Sequence, residues 1–403
     1  MSSSEADRTG GGGGAREAPE EAREEARALD AADPLAAWRD EFLITDPDVA
    51  YLDGNSLGMT PRRTIERVDA LMCDEWAGGL IGSWEHWIDL PQRVGDTLAG
   101  IIGAQAGEVV VHDSVTINLY QLVHAALALR PDRHVIAVAA GEFPTDRYVV
   151  DSVVRSSGCE VRNGFERLDD VAVAVRSLVD YRTAEVADLA AETARARADG
   201  ALVIWDLSHA AGVLDVDLHG AGAELAVGCT YKYLNGGPGS PGFSYVASDL
   251  IGQIDQPIWG WFSQVDQFAM GPDYVARSDA GRLLIGTPGI IGLTAARVGI
   301  ELTAEAGIAA VAAKARALTT YGLHRCEARG LESPSPTDPT RRGGHFSVRH
   351  PDAASLTCTL AADHGVIADF REPDLIRLGC SPLTTRFTDV YDGTHAIAQL
   401  VAP

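Results

Sequence analysis

Lysine is almost missing from this chain. Of 33 basic residues in 403, only Lys232 and Lys314 are lysines, so nearly every surface cation is an arginine. Arginine solvates a surface as well as lysine does, but its guanidinium neither sheds its proton nor acts as an amine nucleophile. A lysine that persists against this bias implies a need for an amine. Lys232, in the aromatic and glycine-rich stretch from Cys229 to Gly242, is the candidate; Lys314, inside the helical pattern Ala310 to Leu318, reads as a surface residue. Positive charge is also scarce, 33 basic against 57 acidic residues for a net −24. That field repels nucleic-acid phosphates and anionic membrane surfaces, so neither is an expected partner. The six cysteines form no Cys-x-x-Cys pair, which excludes the usual structural zinc site and a disulfide framework. No metal is expected, and reduced thiols fit a cytoplasmic protein. Neither an apolar run of membrane-spanning length nor the apolar core of a signal peptide occurs. Neither G-x-G-x-x-G nor G-x-x-x-x-G-K-[ST] appears, which argues against a common dinucleotide fold and a P-loop.

What is present is a large store of apolar residues, 46% of the chain, enough for one large α/β domain with an appendage or for two domains. Residues 1–33 are poor in large apolar side chains and carry the run Gly10 to Gly14, which predicts a disordered tail with some helical tendency around Glu20 to Leu29. Leu35, Trp38, Phe42 and Leu43 then recur at helical spacing. The turn Tyr51-Leu52-Asp53-Gly54-Asn55-Ser56-Leu57-Gly58 precedes a helix through Val68, Leu71 and Met72. Trp76, Trp84 and Trp87 follow in a looser context, where core packing is commoner than a pocket wall. A helix over Leu90 to Ile102 leads to strands over Val109 to His112, His134 to Ala140, Val171 to Val179, Ala201 to Trp205 and Ala223 to Cys229. Helices over Ile117 to Leu129 and Asp188 to Ala198, and another after Asp146, separate them. Strands that are continuous apolar runs between helices predict an α/β fold, a mainly parallel sheet covered on both faces. After Ser248 the pattern loosens. Helices Ile290 to Ala306 and Ile308 to Arg329, strands over Gly344 to Arg349, Gly365 to Phe370 and Leu375 to Leu378, and a closing helix near Gly393 to Val401 form a smaller α+β domain.

Polar residues collect just past the strand ends: Thr116, Asp146, Asp206, His209 and Lys232. In an open α/β sheet that edge is where ligands bind. The helix opening at Asp113-Ser114-Val115-Thr116 offers free N–H groups suited to a phosphate, although Ser and Thr also cap helices with no ligand. An amine (Lys232), a carboxylate at a neighbouring strand end (Asp206), a phosphate-ready helix start (Thr116) and an aromatic ring from another loop (Phe143) are the parts that hold pyridoxal 5'-phosphate. Lys232 would join the cofactor's aldehyde and shuttle protons, Asp206 would keep the ring nitrogen protonated, and Phe143 would stack on the ring.

The motifs around these residues resemble those of the kynureninase family, fold type I pyridoxal-phosphate enzymes of the class V aminotransferase group. They are Phe143-Pro144-Thr145-Asp146, Asp206-Leu207-Ser208-His209-Ala210-Ala211-Gly212 and Thr230-Tyr231-Lys232-Tyr233-Leu234-Asn235-Gly236-Gly237-Pro238-Gly239. The likeness runs from about Tyr51 to Tyr391 and includes the Tyr51 to Gly58 turn, Trp87-Ile88-Asp89-Leu90-Pro91 and Gly260-Trp261-Phe262. It implies a segment 34–75 contributing to the small domain, a large cofactor-binding domain 76–290 and a C-terminal small domain 291–403. It also implies that Val115, Thr116, Phe143, Asp146, Ser177, Asp206, His209 and Tyr231 contact the cofactor on Lys232. Trp261 and Thr287 match positions that reach the site from the second subunit of a homodimer. Arg377 matches the arginine that holds the substrate α-carboxylate, and Trp84 and Thr287 lie on the substrate side. The implied reaction is hydrolysis of the Cβ–Cγ bond of L-kynurenine or 3-hydroxy-L-kynurenine to anthranilate or 3-hydroxyanthranilate and L-alanine. In it Lys232 moves the Cα proton and Tyr231 assists protonation.

The chain departs from the family in two places. Ser263-Gln264 stands where Gly-His is common, and Arg182-Thr183-Ala184 where Tyr-Thr-Gly is common. Both bear on the ring substitution of the substrate and leave the reaction type unchanged. The alternatives are a desulfurase-like or aminotransferase-like relative acting on another amino acid, or a cofactor-binding protein without turnover. A desulfurase needs a reactive cysteine on a mobile loop, whereas Cys326, Cys358 and Cys380 lie in helix or strand patterns.

Overall fold

The structure, a computed structural model, describes residues 19–402. Its strands are β1 (Ala50–Tyr51), β2 (Val109–His112), β3 (Val135–Val138), β4 (Glu160–Asn163), β5 (Val171–Ser177), β6 (Leu202–Asp206), β7 (Leu225–Cys229), β8 (Gly242–Val246), β9 (His345–Arg349), β10 (Val366–Ile367), β11 (Asp369–Arg371) and β12 (Leu375–Gly379). The helices are α1 (Pro19–Ala31), α2 (Arg62–Ala70), α3 (Trp84–Trp87), α4 (Leu90–Ile101), α5 (Val115–Ala128), α6 (Pro144–Ser157), α7 (Leu189–Ala198), α8 (Ser248–Ile251), α9 (Ile290–Ala306), α10 (Ile308–Ala328), α11 (Ala353–Asp363) and α12 (Phe387–Leu400).

Seven strands form the main sheet in the order β2-β8-β7-β6-β5-β3-β4. All run parallel except β8, which is antiparallel to both neighbours. The apolar runs follow from burial on both faces: along β6, Leu202 and Ile204 join one core, while Val203 and Trp205 join the other. The first core is closed by α5 and α6 through Leu119, Leu122, Val149 and Val153. The second is closed by α4 and α9 through Val94, Leu98, Leu293 and Ile300. This α/β architecture agrees with the sequence. Two strands of this sheet were not foreseen. β8 carries Gly242 and Ser244 and follows a Gly/Pro-rich turn, and β4 is an edge strand with mostly exposed side chains, so neither shows an apolar run.

A second, antiparallel sheet has the order β11-β12-β9, and β1 pairs parallel with β10. Their shared core includes Leu52, Phe346, Val366, Ile376, Leu378, Val390 and Ile397. α11 also went unforeseen, and α12 starts at Phe387 rather than near Gly393. Its first turn is fixed by Arg386 and Asp389, whose side chains bridge the helix start.

One reading of the sequence is sharpened and one is corrected. The helical tendency expected around Glu20 to Leu29 is α1, ordered with Ala22 and Ala26 fully buried in the same core as α12; residues 1–18 lie outside the described residues. Small alanines let the two helices approach closely, so the segment packs without large apolar side chains. Lys314 is not a surface residue. It is buried on α10, its Nζ 2.6 Å from an equally buried Asp33 carboxylate. Of the three tryptophans, Trp76 is exposed, whereas Trp84 and Trp87 meet edge to face at 5.6 Å and Trp84 also packs on Phe262.

Candidate active site

β2, β3, β5, β6 and β7 all point the same way, so their carboxyl ends meet at one edge of the sheet. The segments leaving those ends enclose a cavity of about 230 Å³. Nine of the residues singled out in the sequence line it: Val115, Thr116, Phe143, Asp146, Ser177, Asp206, His209, Tyr231 and Lys232.

Each wall is held from behind. Ser114 caps α5, and Asn118 anchors the same helix by donating to the His112 carbonyl at 3.0 Å. A side chain at Gly242 would place its Cβ 3.0 Å from the Val115 nitrogen, a tight approach that would press on the helix start. Past β7, Thr230 donates to the Pro241 carbonyl at 2.6 Å and Asn235 takes a left-handed φ of 54°, folding the Gly/Pro-rich loop back on itself. The Asp53–Gly58 turn packs on that loop, with the Gly58 N–H donating to the Tyr231 carbonyl at 2.8 Å. A Cβ at Gly58 would lie 2.3 Å from the Lys232 carbonyl oxygen, which explains a glycine in a motif distant in sequence.

The Lys232 amine is buried, 3.3 Å from His209 Nε2 and 5.8 Å from the centre of the Phe143 ring. Burial, reinforced by the Lys232 charge, keeps His209 well below the ordinary histidine range, so it stays neutral. Asp206 closes β6 and accepts from the Ser208 N–H at 2.7 Å. Burial, with Asp206 and Glu142 adding to it, pushes Asp146 well above the usual carboxylate range, and its Oδ2 has no partner. Burial likewise raises the Tyr231 phenol, with Cys229 adding to the effect. The cavity thus presents an amine, an orphaned carboxyl oxygen, a strand-end carboxylate, an aromatic face and a helix N-terminus, a donor set that fits pyridoxal phosphate.

Four singled-out residues are not on this wall. Arg377 lies beside it on β12, 1% exposed. Trp84 packs in the Trp87–Phe262 cluster, and Trp261 and Thr287 are exposed. Ser263 and Gln264 serve a loop instead. Ser263 Oγ donates to the Gly260 carbonyl at 2.8 Å, and Gln264 donates to the Asp273 carbonyl at 2.8 Å and accepts from Val275 N–H at 2.9 Å. Ala184, in the other departure, holds a φ of 66°, the left-handed region that favours the glycine common there.

Glu142 went unremarked in the sequence. It accepts from Ser177 N–H at 2.8 Å, from the Ser177 hydroxyl and from Phe143 N–H at 3.1 Å, tying the ends of β3 and β5 together. Its neighbour Phe143 was the only signal. His345, at the start of β9, also escaped notice; its ring lies 5.7 Å from that of His209.

The fold is shared with solved desulfurases and lyases. A cysteine desulfurase from Thermococcus onnurineus NA1 superposes with a TM-score of 0.79 at 16% identity, over 91% of this chain and 97% of that one. The C-DES K223A mutant, described with glycine covalently linked to its PLP cofactor, gives a TM-score of 0.77 at 16% identity over 87% and 97%. These likenesses define the class: an α/β protein with the architecture of fold type I pyridoxal-phosphate enzymes. Closer relatives narrow it. A kynureninase from Pseudomonas fluorescens is 40% identical over 94% of this chain and 95% of its own length. One from Burkholderia pseudomallei strain K96243 is 39% identical over the same shares. The family model for the kynureninase C-terminal domain matches residues 311–397. The chain belongs to the kynureninase family.

Proposed function

We propose that this chain is a pyridoxal-phosphate-dependent hydrolase that cleaves the Cβ–Cγ bond of L-kynurenine, or its 3-hydroxy form, to give the aromatic amine and L-alanine. The observation that carries the reading is the buried Lys232 amine facing Asp206 and Phe143 across one cavity, in a chain 40% identical to a kynureninase. Bound pyridoxal phosphate supplies an electron sink that stabilises negative charge at the substrate Cα.

The N–H groups at Val115 and Thr116 would take the phosphate, as a helix N-terminus does. Asp206 would hold a proton on the ring nitrogen, with Asp146, its carboxyl pushed upward by burial, beside it in the cavity. Phe143 would stack on the ring, and Ser177 and His209 would help to hold the cofactor. Lys232 would take the Cα proton and return it. Tyr231, kept protonated by burial, would serve as a donor to the product carbon. Arg377 would hold the substrate carboxylate through paired N–H groups.

The segment 259–275 supports a dimer with shared sites. Trp259, Trp261, Val265, Phe268, Met270 and Val275 are all exposed large apolar residues there, more than a free surface usually keeps together. Trp261 and Thr287 would then reach the partner's cavity, with Trp84 on the substrate side. Among the described residues no helix is long and apolar enough to cross a membrane, and all six cysteines are free. A small-molecule substrate in the cytoplasm is the corresponding reading.

A desulfurase reading finds no activated thiol at the cavity, since the exposed Cys73 and Cys358 do not line it. Cys229, on the cavity wall, is buried with its thiol raised by burial, and Cys326 and Cys380 are pushed up to about 12 by the same cause. The test is steady-state kinetics of the cofactor-loaded protein on L-kynurenine and 3-hydroxy-L-kynurenine. Turnover of at least one supports the proposal and their ratio assigns the ring preference. Turnover of neither, with another amino acid consumed instead, overturns it.

A further inference from the structure

Arg377 is held more tightly than a carboxylate receptor requires. The β11–β12 register sets Asp369 directly opposite it. Asp369 Oδ1 accepts from Nε at 2.9 Å and Oδ2 from Nη2 at 2.5 Å. With its amide oxygen turned toward the guanidinium, Asn55 accepts from the same two nitrogens at 2.6 and 3.0 Å. Nη2 also donates to Ser56 Oγ at 3.1 Å, and the Ser56 hydroxyl donates onward to Asp369 Oδ2 at 2.8 Å. Nη1 makes a single bond, to the Tyr181 carbonyl at 2.6 Å, and so keeps one N–H for a ligand. Asp369 must serve a second cation too, since Arg371 Nη2 lies 2.7 Å from its Oδ2. The other carboxylate of the group is Asp53, on the turn that carries Asn55 and Ser56, and its Oδ1 is buried with no partner.

We propose that Asp369 and Asp53 are positioning residues for Arg377: Asp369 fixes the guanidinium side-on so that its Nη1 edge meets the substrate carboxylate, and the charge on Asp53 sets how strongly that edge attracts an anion. The inference deepens the reading in which Arg377 binds the α-carboxylate and rests on it. A guanidinium has two edges that take a carboxylate bidentately. Asp369 and Asn55 fill the Nε–Nη2 edge. An incoming carboxylate therefore competes with neutral acceptors, the Tyr181 carbonyl and the Ser56 hydroxyl, and not with a carboxylate already bound.

The charge of the group then decides affinity. With both aspartates ionised, Arg371 and Arg377 are neutralised; with Asp53 protonated, one positive charge remains for the substrate. Burial first, then the nearby Asp369 charge, pushes Asp53 up to about 6. The groups around it are Tyr51 on β1, pushed up to about 12, Asp369 and Arg371 on β11, Arg377 on β12 and the buried Tyr233 phenol past β7. His209 and His345 are kept neutral by burial and by the Arg377 and Lys232 charges. Asp53 is therefore the group here whose charge changes between pH 5 and 8. Carboxylate affinity should be highest below pH 6 and fall as Asp53 ionises.

The experiment uses the cofactor-loaded enzyme and follows the cofactor absorbance as L-alanine or L-alaninamide binds between pH 5 and 8.5. Arg377→Ala tests the underlying reading: it should weaken alanine much more than the amide, and equal weakening would remove Arg377 as the carboxylate site. Given that discrimination, Asp53→Asn should bind alanine about three- to tenfold tighter than wild type at pH 8, match it at pH 5, and leave the amide unchanged. Asp369→Asn should weaken alanine about tenfold or more and raise KM for L-kynurenine in parallel, with kcat changed less than about threefold. The proposal is overturned if the Asp53→Asn profile superposes on wild type; if Asp369→Asn does not fold, that profile decides alone.

Discussion

At the residue scale, the two lysines do opposite work from similarly buried positions. Lys314 and Asp33 neutralise each other at 2.6 Å, and removing one partner strands a buried charge. Lys314→Ala should therefore cost about 3–5 kcal/mol in urea unfolding with KM unchanged, the usual loss when a buried pair is broken. A loss below about 1 kcal/mol would mean the pair is solvated in solution. Tyr231→Phe should lower kcat by about 10²-fold with little change in stability, since it removes one positioned proton donor. Lys232 was legible in the sequence because its aromatic and glycine neighbours are local. Lys314 was misread because its partner belongs to a segment that composition alone marks as unstructured. Asp369 and Glu142 were hidden for a related reason: each acts on a neighbour through strand register or loop geometry.

At the element scale, α1 is tied to α12 by the Arg23–Asp392 pair and, at the helix start, by the Asp30 carboxylate. Asp30 accepts from Phe387 N–H at 2.6 Å, from Thr388 N–H at 3.2 Å and from the Thr388 hydroxyl at 2.8 Å, supplying acceptors to the open N-terminus of α12 from another element. Asp30→Ala should cost about 1–2 kcal/mol by denaturant unfolding, in the range of lost helix caps. No change in midpoint would show that α1 docks without this bond. Central strands such as β5, β6 and β7 were legible because burial on both faces leaves a continuous apolar run. β8 was not, because its glycine packs close against the start of α5 and its serine pairs with His112, whose Nε2 lies 3.0 Å from Ser244 Oγ.

At the scale of the whole molecule, nine candidate residues scattered from Val115 to Lys232 converge because the parallel strands share one carboxyl edge. That convergence follows from topology, and the strand pattern carried it. Trp261 and Thr287 do not line the cavity within one chain, so the proposed role for them requires an assembly. Mixing inactive Lys232→Ala with inactive Trp261→Ala subunits tests this directly. Shared sites predict recovery to about a quarter of wild-type activity, one intact site in each mixed dimer. No recovery from a mixture shown to exchange subunits would place each site within one chain.

In the proposed reaction the Lys232 amine drives hydrolysis of a kynurenine Cβ–Cγ bond. The most direct measurement is the yield of L-alanine and aromatic amine from L-kynurenine, by the cofactor-loaded wild type and by Lys232→Ala. Equimolar products are expected from the wild type, with a loss of at least about 10⁴-fold in the variant. Equal rates from both proteins, or aromatic amine released without alanine, would contradict it.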